Sequence, residues 1–238
     1  MPRYQIAGLI VDMEPKEELT INRAEKYLTT NHNHFRPDCV IPNRPQVIDK
    51  YRQKHQELSF SECEYLLFGA YFYNTLLDHD GIMMHASAIC LDNHAYLFSG
   101  PSGVGKSTHA SLWMQIFPRA MIINDDKPAI RLADGKCFAY GTPFSGKTGQ
   151  NIDICYPIQG ICFIEQSCNN AIQELRKNEA AINVFLNTQL PSNEKKLDKM
   201  VNTVNSIITN VKMYRLSCNQ NQDAAEVAYE AMKPKDDL

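Results

Sequence analysis

The chain reads as a mixed α/β domain, and three observations lead there. Apolar runs flank Asp92-Asn93, and others flank Asp134-Gly135, in the strand–turn–strand pattern of hairpins. Between these hairpins lies a glycine-rich junction, residues 100–107, that follows an apolar run and opens a helical pattern. Helical segments with wide apolar faces flank the region on both sides. A purely parallel doubly wound sheet would not carry hairpins on both sides of such a junction. A mixed sheet with flanking helices is therefore expected.

The elements follow in order. Residues 4–13 (YQIAGLIVDM) alternate well enough for one strand. Residues 14–45 are polar and punctuated by prolines, and predict irregular structure with short elements. Residues 59–81 predict a helix capped by Ser59 or Ser61, with Leu66, Leu67, Ala70, Phe72, Tyr73, Leu76 and Leu77 as its apolar face and Gly81 past its end. Its aromatic residues suit core packing. "IMMHASAIC" and "AYLFSG" form the first hairpin, and "KSTHASLWMQIF" a helix that stops at Pro118. "AMIIN" is a strand, and "PAIRLADGKCFAY" the second hairpin. "GTPFSGKTGQN" is a glycine-rich loop and "IQGICFIEQ" a strand. Residues 178–189 and 193–211 predict helices, "KMYRLSC" a strand and "QDAAEVAYEAM" a closing helix. The division expected is an N-terminal strand and helical section, 1–80, packed on a core domain, 81–238.

Bulk properties bound the function. The formal net charge is -3, which offers no broad basic surface for nucleic acid. No apolar run is long enough for a membrane span and no secretory signal opens the chain, so a cytoplasmic protein with no membrane partner is expected. The eight cysteines show no CxxC pair and no zinc spacing, so reduced, mostly buried thiols are expected.

The junction carries the chemistry. "GPSGVGKS" fills every required position of G-x-x-x-x-G-K-[ST], between an apolar run and a helical pattern. Glycines 100, 103 and 105 let the backbone turn its N–H groups inward, and with the helix N-terminus behind them they form an anion site. Lys106 can reach the outer phosphates of a nucleotide, and the Ser107 hydroxyl can ligate magnesium. Gly100, Ser102, Gly103, Val104, Gly105, Lys106, Ser107 and Thr108 make up the expected nucleotide site.

Asp125 and Asp126 end the strand nineteen residues after Lys106, enough for one helix and a return strand. That strand should lie beside the one feeding the loop. One carboxylate can hold the metal and the other can accept a proton from an attacking hydroxyl. Neighbouring residues on a strand face opposite ways, so both reach one site only where the strand ends and bends. His85 should come close to the loop through the hairpin, where an imidazole can ligate a metal or contact a phosphoryl group. His109 is expected at the surface. Lys147, in the second glycine loop, can neutralise charge on a transferring phosphoryl group. Arg131 and Arg215 are further candidate cations, expected at the surface.

"HASA", the hairpin, "GPSGVGKST" and "INDD" occur in one order with short gaps. This order resembles the nucleotide core shared by the HPr kinase/phosphorylase family and the ATP-dependent phosphoenolpyruvate carboxykinases. Met84-His85-Ala86-Ser87-Ala88 is closer to the carboxykinase pattern and the loop to the kinase pattern. The resemblance covers residues 81–165. It implies the fold of the HPr kinase C-terminal domain, use of ATP and Mg2+, and site roles for His85, Asp125 and Asp126, with Ser107 and Asp126 as metal ligands. The carboxykinases are more than twice as long and bind their organic acid with a further domain. The glycine-arginine signature of true HPr kinases is missing, and "YGTPFSGKTGQN" stands in its place. The chain more closely resembles small HPr-kinase-like proteins that sit beside peptide-modification genes in bacteria.

The expected activity is transfer of the γ-phosphoryl of ATP to a hydroxyl, serine foremost, of a peptide, protein or small metabolite. A nucleotide-binding regulatory module without catalysis is the alternative, and would need neither His85 nor the aspartates. Generic nucleotide hydrolysis lacks a second signature motif. A homo-oligomer is expected only by analogy. The sequence does not divide the roles of Asp125 and Asp126.

Overall fold

The structure, a computed structural model, describes residues 1–30, 36–146, 148–191 and 193–234. Residues 4–13 form a hairpin rather than one strand. β1 (Arg3–Ile6) and β2 (Leu9–Met13) pair antiparallel around Ala7-Gly8. Both turn residues have positive φ, 50° and 74°. Alanine rarely adopts that conformation, so the turn is invisible to residue preference. After α1 (Glu18–Ala24) and a 3-10 turn, β3 (Cys39–Ile41) joins β2 in parallel to complete a three-stranded sheet. α2 (Pro45–Lys54), opened by its proline, has no counterpart in the sequence reading.

α3 (Phe60–Leu76) begins as expected. The Ser59 side chain accepts from the Glu62 amide, and Glu62 reaches back to the Ser59 amide. Asp80 turns left-handed at φ 53° and delivers the chain into β4 (Gly81–Met83). Tyr65, Phe68, Phe72 and Tyr73 of α3 are buried with Tyr4 and Val11 from the small sheet and with Met83, Ala129 and Phe144 from beyond residue 80. The N-terminal section thus shares one apolar cluster with the rest of the chain.

The run from Ile82 to Cys90 is not one strand. β4 ends at Met83 and β5 (Ala86–Leu91) begins three residues later, with His85 between them. β5 and β6 (His94–Ser99) form the expected hairpin, with Asp92 and Asn93 at φ 50° and 63°. Then come α4 (Lys106–Ile116), β7 (Met121–Asn124), and the second hairpin, β8 (Ala129–Ala133) with β9 (Lys136–Tyr140). The chain continues through β10 (Cys155–Gln166), β11 (Ala171–Glu174), α5 (Lys177–Leu186), α6 (Glu194–Asn210), β12 (Met213–Cys218) and α7 (Asp223–Met232). β11 was not anticipated.

Nine strands form the large mixed sheet, in the order β4-β8-β9-β10-β6-β5-β7, with β12 on β10 and β11 on β12. The long β10 links two regions. Its start pairs antiparallel with β9, and its later part runs parallel between β6 and β12. One expectation is corrected here. β7 pairs with β5, not with β6, because β5 and β10 already hold the two edges of β6. The aspartate strand therefore reaches the loop across the histidine strand.

Trp113 of α4 is fully buried in one apolar cluster with Tyr96, Phe98 and Ala228 of α7. Val184 of α5 and Val204 and Ile207 of α6 lie in a second cluster with Ala88, Leu97 and Ile161. Six cysteines are buried, two (Cys155 and Cys168) are exposed, and all eight are free thiols. Among the described residues no helix is long and apolar enough to cross a membrane.

Ser59→Ala removes the acceptor that closes the first turn of α3. Urea unfolding should show a loss of about 1 kcal/mol with an unchanged m-value.

Candidate functional site

The loop of residues 100–107 joins β6 to α4. Gly100, Gly103 and Gly105 have φ of 141°, 80° and 112°, where side chains other than hydrogen are strained. At Gly100 space is also short, since a Cβ would lie 3.2 Å from the Ile164 carbonyl oxygen. Lys106 Nζ donates to the carbonyls of Gly100 (2.9 Å) and Pro101 (3.2 Å), which folds its amine across the loop. Burial lowers the Lys106 pKa, and the charge of Asp126 works against that shift. Lys106 and Asp126 therefore sense one another. Ser102, Gly103, Ser107 and Thr108 are exposed, with Val104 and Gly105 half-buried.

The strand carrying the aspartates does bend, and its neighbour bends it. The buried Asn124 side chain accepts from the amides of Asp126 (3.0 Å) and Lys127 (2.7 Å). Its own amide donates to the Thr142 carbonyl at 3.1 Å. This Asx turn breaks the alternation of the strand. Asp125 turns inward and is 5 % exposed. Its Oδ1 accepts from the Gly146 amide at 3.1 Å and its Oδ2 from the Thr148 hydroxyl. Asp126 stays half-buried at the mouth of the site, with Oδ2 3.5 Å from Lys127 Nζ.

His85 arrives by the crossing of two chain segments. The Met84 amide donates to the Pro128 carbonyl (3.2 Å) and the Ala86 amide to the Asp126 carbonyl (3.0 Å). His85 is thereby placed beside Asp126, with Nδ1 3.8 Å from Asp126 Oδ1. Its backbone is fixed on both sides. The carbonyl accepts from Ser99 Oγ, immediately before Gly100, at 2.7 Å, and the amide donates to the Asn187 carbonyl at 2.7 Å. Burial acts to raise the Asp126 pKa, but the His85 imidazole and the Lys127 ammonium outweigh it, and the carboxyl lies below its usual range.

The second glycine loop packs on the aspartates. A Cβ at Gly146 would sit 2.9 Å from the Asp126 Cβ, so only glycine lets the loop approach so closely. The N-terminal section holds this loop in place. Arg23 donates to the Tyr65 hydroxyl (2.8 Å) and to the Ser145 carbonyl (2.7 Å), and Tyr65 donates to the same carbonyl. Lys26 and Tyr27 hold Asn151, whose amide donates to Ser145 Oγ at 2.8 Å. Gly141, Thr142, Phe144 and Ser145 are buried, so most of this segment is a packed element rather than a surface connection. Lys147 lies outside the described residues.

A cleft of about 300 Å³ opens beside these groups. Tyr51, Tyr65, Tyr73 and Phe144 supply its aromatic walls, and His85 and Lys127 its polar edge. No carboxylate lines it.

Some predicted residues lie elsewhere. His109 is buried rather than at the surface, and burial lowers its pKa to about 4. The readable signal was its spacing, four before Trp113 on the buried face of α4. Arg131 donates to the carbonyls of His79 and Ala7, and Arg215 faces Glu165 and Glu179, so both serve the fold. Sequence reasoning missed Asn124, Lys127, Thr148 and Asn187. Only Asn124 left a signal, as a turn-forming residue at a strand end.

No family model matches the chain, and no curated protein matches it. Among solved structures, the HPr(Ser) kinase/phosphatase from Coxiella burnetii is matched at 8% identity and a TM-score of 0.36, over 63% of this chain and 95% of that one. A likeness so distant carries no weight for the activity, which must be judged on the chain's own residues.

The charge on Asp126 has a consequence for stability. A carboxylate with a lowered folded pKa stabilises the fold above its unfolded pKa, and that contribution disappears as pH falls through the folded value. Asp126→Asn leaves Lys106 and Lys127 without their counter-charge, so it should be less stable than wild type at pH 7. The gap between the two urea midpoints should close as the pH is lowered toward 3.

Proposed function

We propose that the chain is an ATP- and magnesium-dependent phosphotransferase with an HPr-kinase-like nucleotide core. It would transfer the γ-phosphoryl group to a hydroxyl, serine foremost, of a peptide, protein or small metabolite. One observation carries the reading. His85, which stands 3.8 Å from Asp126, edges an open cleft that can admit a second substrate, and the charge of Asp126 reaches Lys106 of the glycine-rich loop.

The residues suit the chemistry. Phosphoryl transfer has a loose transition state with charge spread over the phosphoryl oxygens, so placement and cations do most of the work. The amides of the loop and Lys106 would hold the nucleotide phosphates. A hydroxyl in the aromatic cleft would lie at the His85–Lys127 edge, next to Asp126. Asp126 would accept the hydroxyl proton there. Its lowered pKa makes it a weak base, which is adequate where little proton transfer precedes bond breaking to the phosphate. His85 would orient that carboxylate and Lys127 would balance its charge. Asp125 would act through the loop, since both of its oxygens are already engaged by Gly146 and Thr148.

Magnesium fits the oxygen donors present, the exposed Ser107 hydroxyl and the half-buried Asp126 carboxylate. Among the described residues no three His, Cys, Asp or Glu side chains gather as a metal cage. The ion, which would neutralise phosphate oxygens when bound, needs few protein ligands when phosphates supply the others. Ser107 is the first of those ligands. For Asp126, already flanked by His85 and Lys127, the proton-acceptor role is favoured over the metal role.

The test is phosphorus NMR of the protein with ATP and magnesium, against pools of free serine, serine peptides and cell extract. A phosphomonoester signal should appear with one pool and vanish in Lys106→Ala. Asp126→Asn should keep ATP binding and lose about 10²- to 10⁴-fold in turnover. Intact ATP with every pool, or full activity in Asp126→Asn, would sink the mechanism.

The acid limb of the rate profile gives a second check. Activity needs the Asp126 carboxylate ionised, so it should persist below the ordinary carboxyl range and fall only as pH drops through the lowered pKa. In His85→Gln that carboxylate loses a partner of its charged form. The limb should then move to higher pH. A limb that stays in place would remove His85 from the site.

A further inference from the structure

The cleft beside His85 holds about 300 Å³, within the size range of small-ligand sites, and its walls are mostly apolar. α3 contributes Tyr65, Leu66, Ala70 and Tyr73, α2 contributes Tyr51, and the second glycine loop contributes Phe144. Two of the three tyrosine hydroxyls are already engaged by the fold. Tyr65 donates to the Ser145 carbonyl, and Tyr73 donates to the Lys127 carbonyl at 2.6 Å. Those two residues therefore offer the cleft ring surface rather than free hydroxyls. Leu66 and Ala70, four apart on one face of α3, are half-buried, and so is Tyr51. Apolar groups that are part-exposed and face an open cleft are suited to cover an apolar guest.

The polar edge of the cleft carries one sign of charge. His85 and Lys127 stand there, Gln189 is neutral, and no carboxylate lines the cleft. Asp126, 3.8 Å from His85, is already matched with His85 and Lys127. A cation brought into the cleft would meet Lys127 and find no counter-charge on the walls. Taking it out of water there would be costly. Free serine carries an ammonium on the carbon next to its hydroxymethyl group. A serine in peptide linkage has an uncharged amide at that place.

We infer that the acceptor is a serine in peptide linkage flanked by an aromatic or aliphatic side chain, and that the cleft takes this side chain against Tyr51, Leu66, Ala70 and Phe144. The inference rests on the phosphotransferase reading above and adds the class of acceptor. In the transfer, the serine oxygen bonds to the γ-phosphorus of ATP. The bond from that phosphorus to the β–γ bridging oxygen breaks, and ADP leaves with its electron pair. The hydroxyl proton passes to Asp126 and then to water.

The test compares defined acceptors with magnesium-ATP. Three tripeptides, acetylated at one end and amidated at the other, place serine between two glycines, two phenylalanines or two lysines. Free serine is the fourth acceptor. The phenylalanine peptide should exceed the glycine peptide about tenfold in kcat/KM. The lysine peptide and free serine should fall below both. Ala70→Glu puts a carboxylate on the apolar wall at a half-buried helix position that glutamate tolerates. It should raise the lysine peptide to the level of the phenylalanine peptide or above it. Tyr51→Ala removes one ring, and should bring the phenylalanine and glycine peptides within about threefold of one another. Calorimetric affinity for magnesium-ATP should stay within about threefold of wild type in both variants, which shows that they fold.

Free serine as the best acceptor, or equal rates with glycine and phenylalanine flanks, would overturn the acceptor class and leave the phosphotransferase standing. A phenylalanine preference that survives both substitutions would place the apolar group elsewhere and overturn the assignment to this cleft. A phosphomonoester formed with cell extract but with none of the tripeptides would also overturn it. Intact ATP with the extract as well would overturn the phosphotransferase reading and the acceptor class with it.

Discussion

One buried side-chain amide organises the candidate site. Asn124 accepts from two successive backbone amides with its oxygen and gives its N–H to Thr142. Those amides would otherwise be stranded at a strand end, at about 1–3 kcal/mol for each one left buried and unpaired. The bend that satisfies them also separates the two aspartates that follow. Asp125 goes inward to hold the second glycine loop, and Asp126 stays at the mouth. Adjacent carboxylates thus acquire different surroundings through one hydrogen-bonded turn. Like charges forced to share a single environment would raise one another's pKa.

Electrostatics follow from that bend. Asp126 sits between His85 and Lys127, and its charge also acts on Lys106. Burial alone would push the carboxyl up and the lysine down, each toward the neutral form. The groups offset one another, so a half-buried site can stay ionised. His85 belongs to this arrangement because of topology. With β5 between β6 and β7, the residue that leads into β5 is carried to the end of both neighbours. A sheet with β7 directly beside β6 would leave no place for a histidine there.

Legibility divided along the range of the interactions. The glycine-rich strand-to-helix turn of residues 100–107, the Asp-Asn and Asp-Gly hairpins and the Ser59 cap are local, coded by a few consecutive residues, and were readable. The Ala7-Gly8 turn was equally local, but alanine gives no sign of a left-handed conformation. The neighbour of β7 depends on which edges of β6 are already occupied, a property of the whole sheet. The roles of Asp125 and Asp126 depended on Gly146 and Thr148, about twenty residues away. His109 stands in the first turns of α4, a place that suggested a surface position. Its spacing to Trp113 placed it on the buried face.

The N-terminal section could be taken for a mere appendage to a nucleotide core, but its contacts argue otherwise. Arg23 and Tyr65 share the Ser145 carbonyl, one residue from the glycine that lies against Asp126. Lys26 and Tyr27 hold the far end of the same loop through Asn151. Tyr65 and Tyr51, from the same section, also wall the cleft beside His85. A shift of this section would therefore move the cleft wall and the loop behind Asp125 together. The aromatic wall thus has a direct route to the carboxylates, through two side chains and one carbonyl, and that coupling is built from hydrogen bonds already made in the fold.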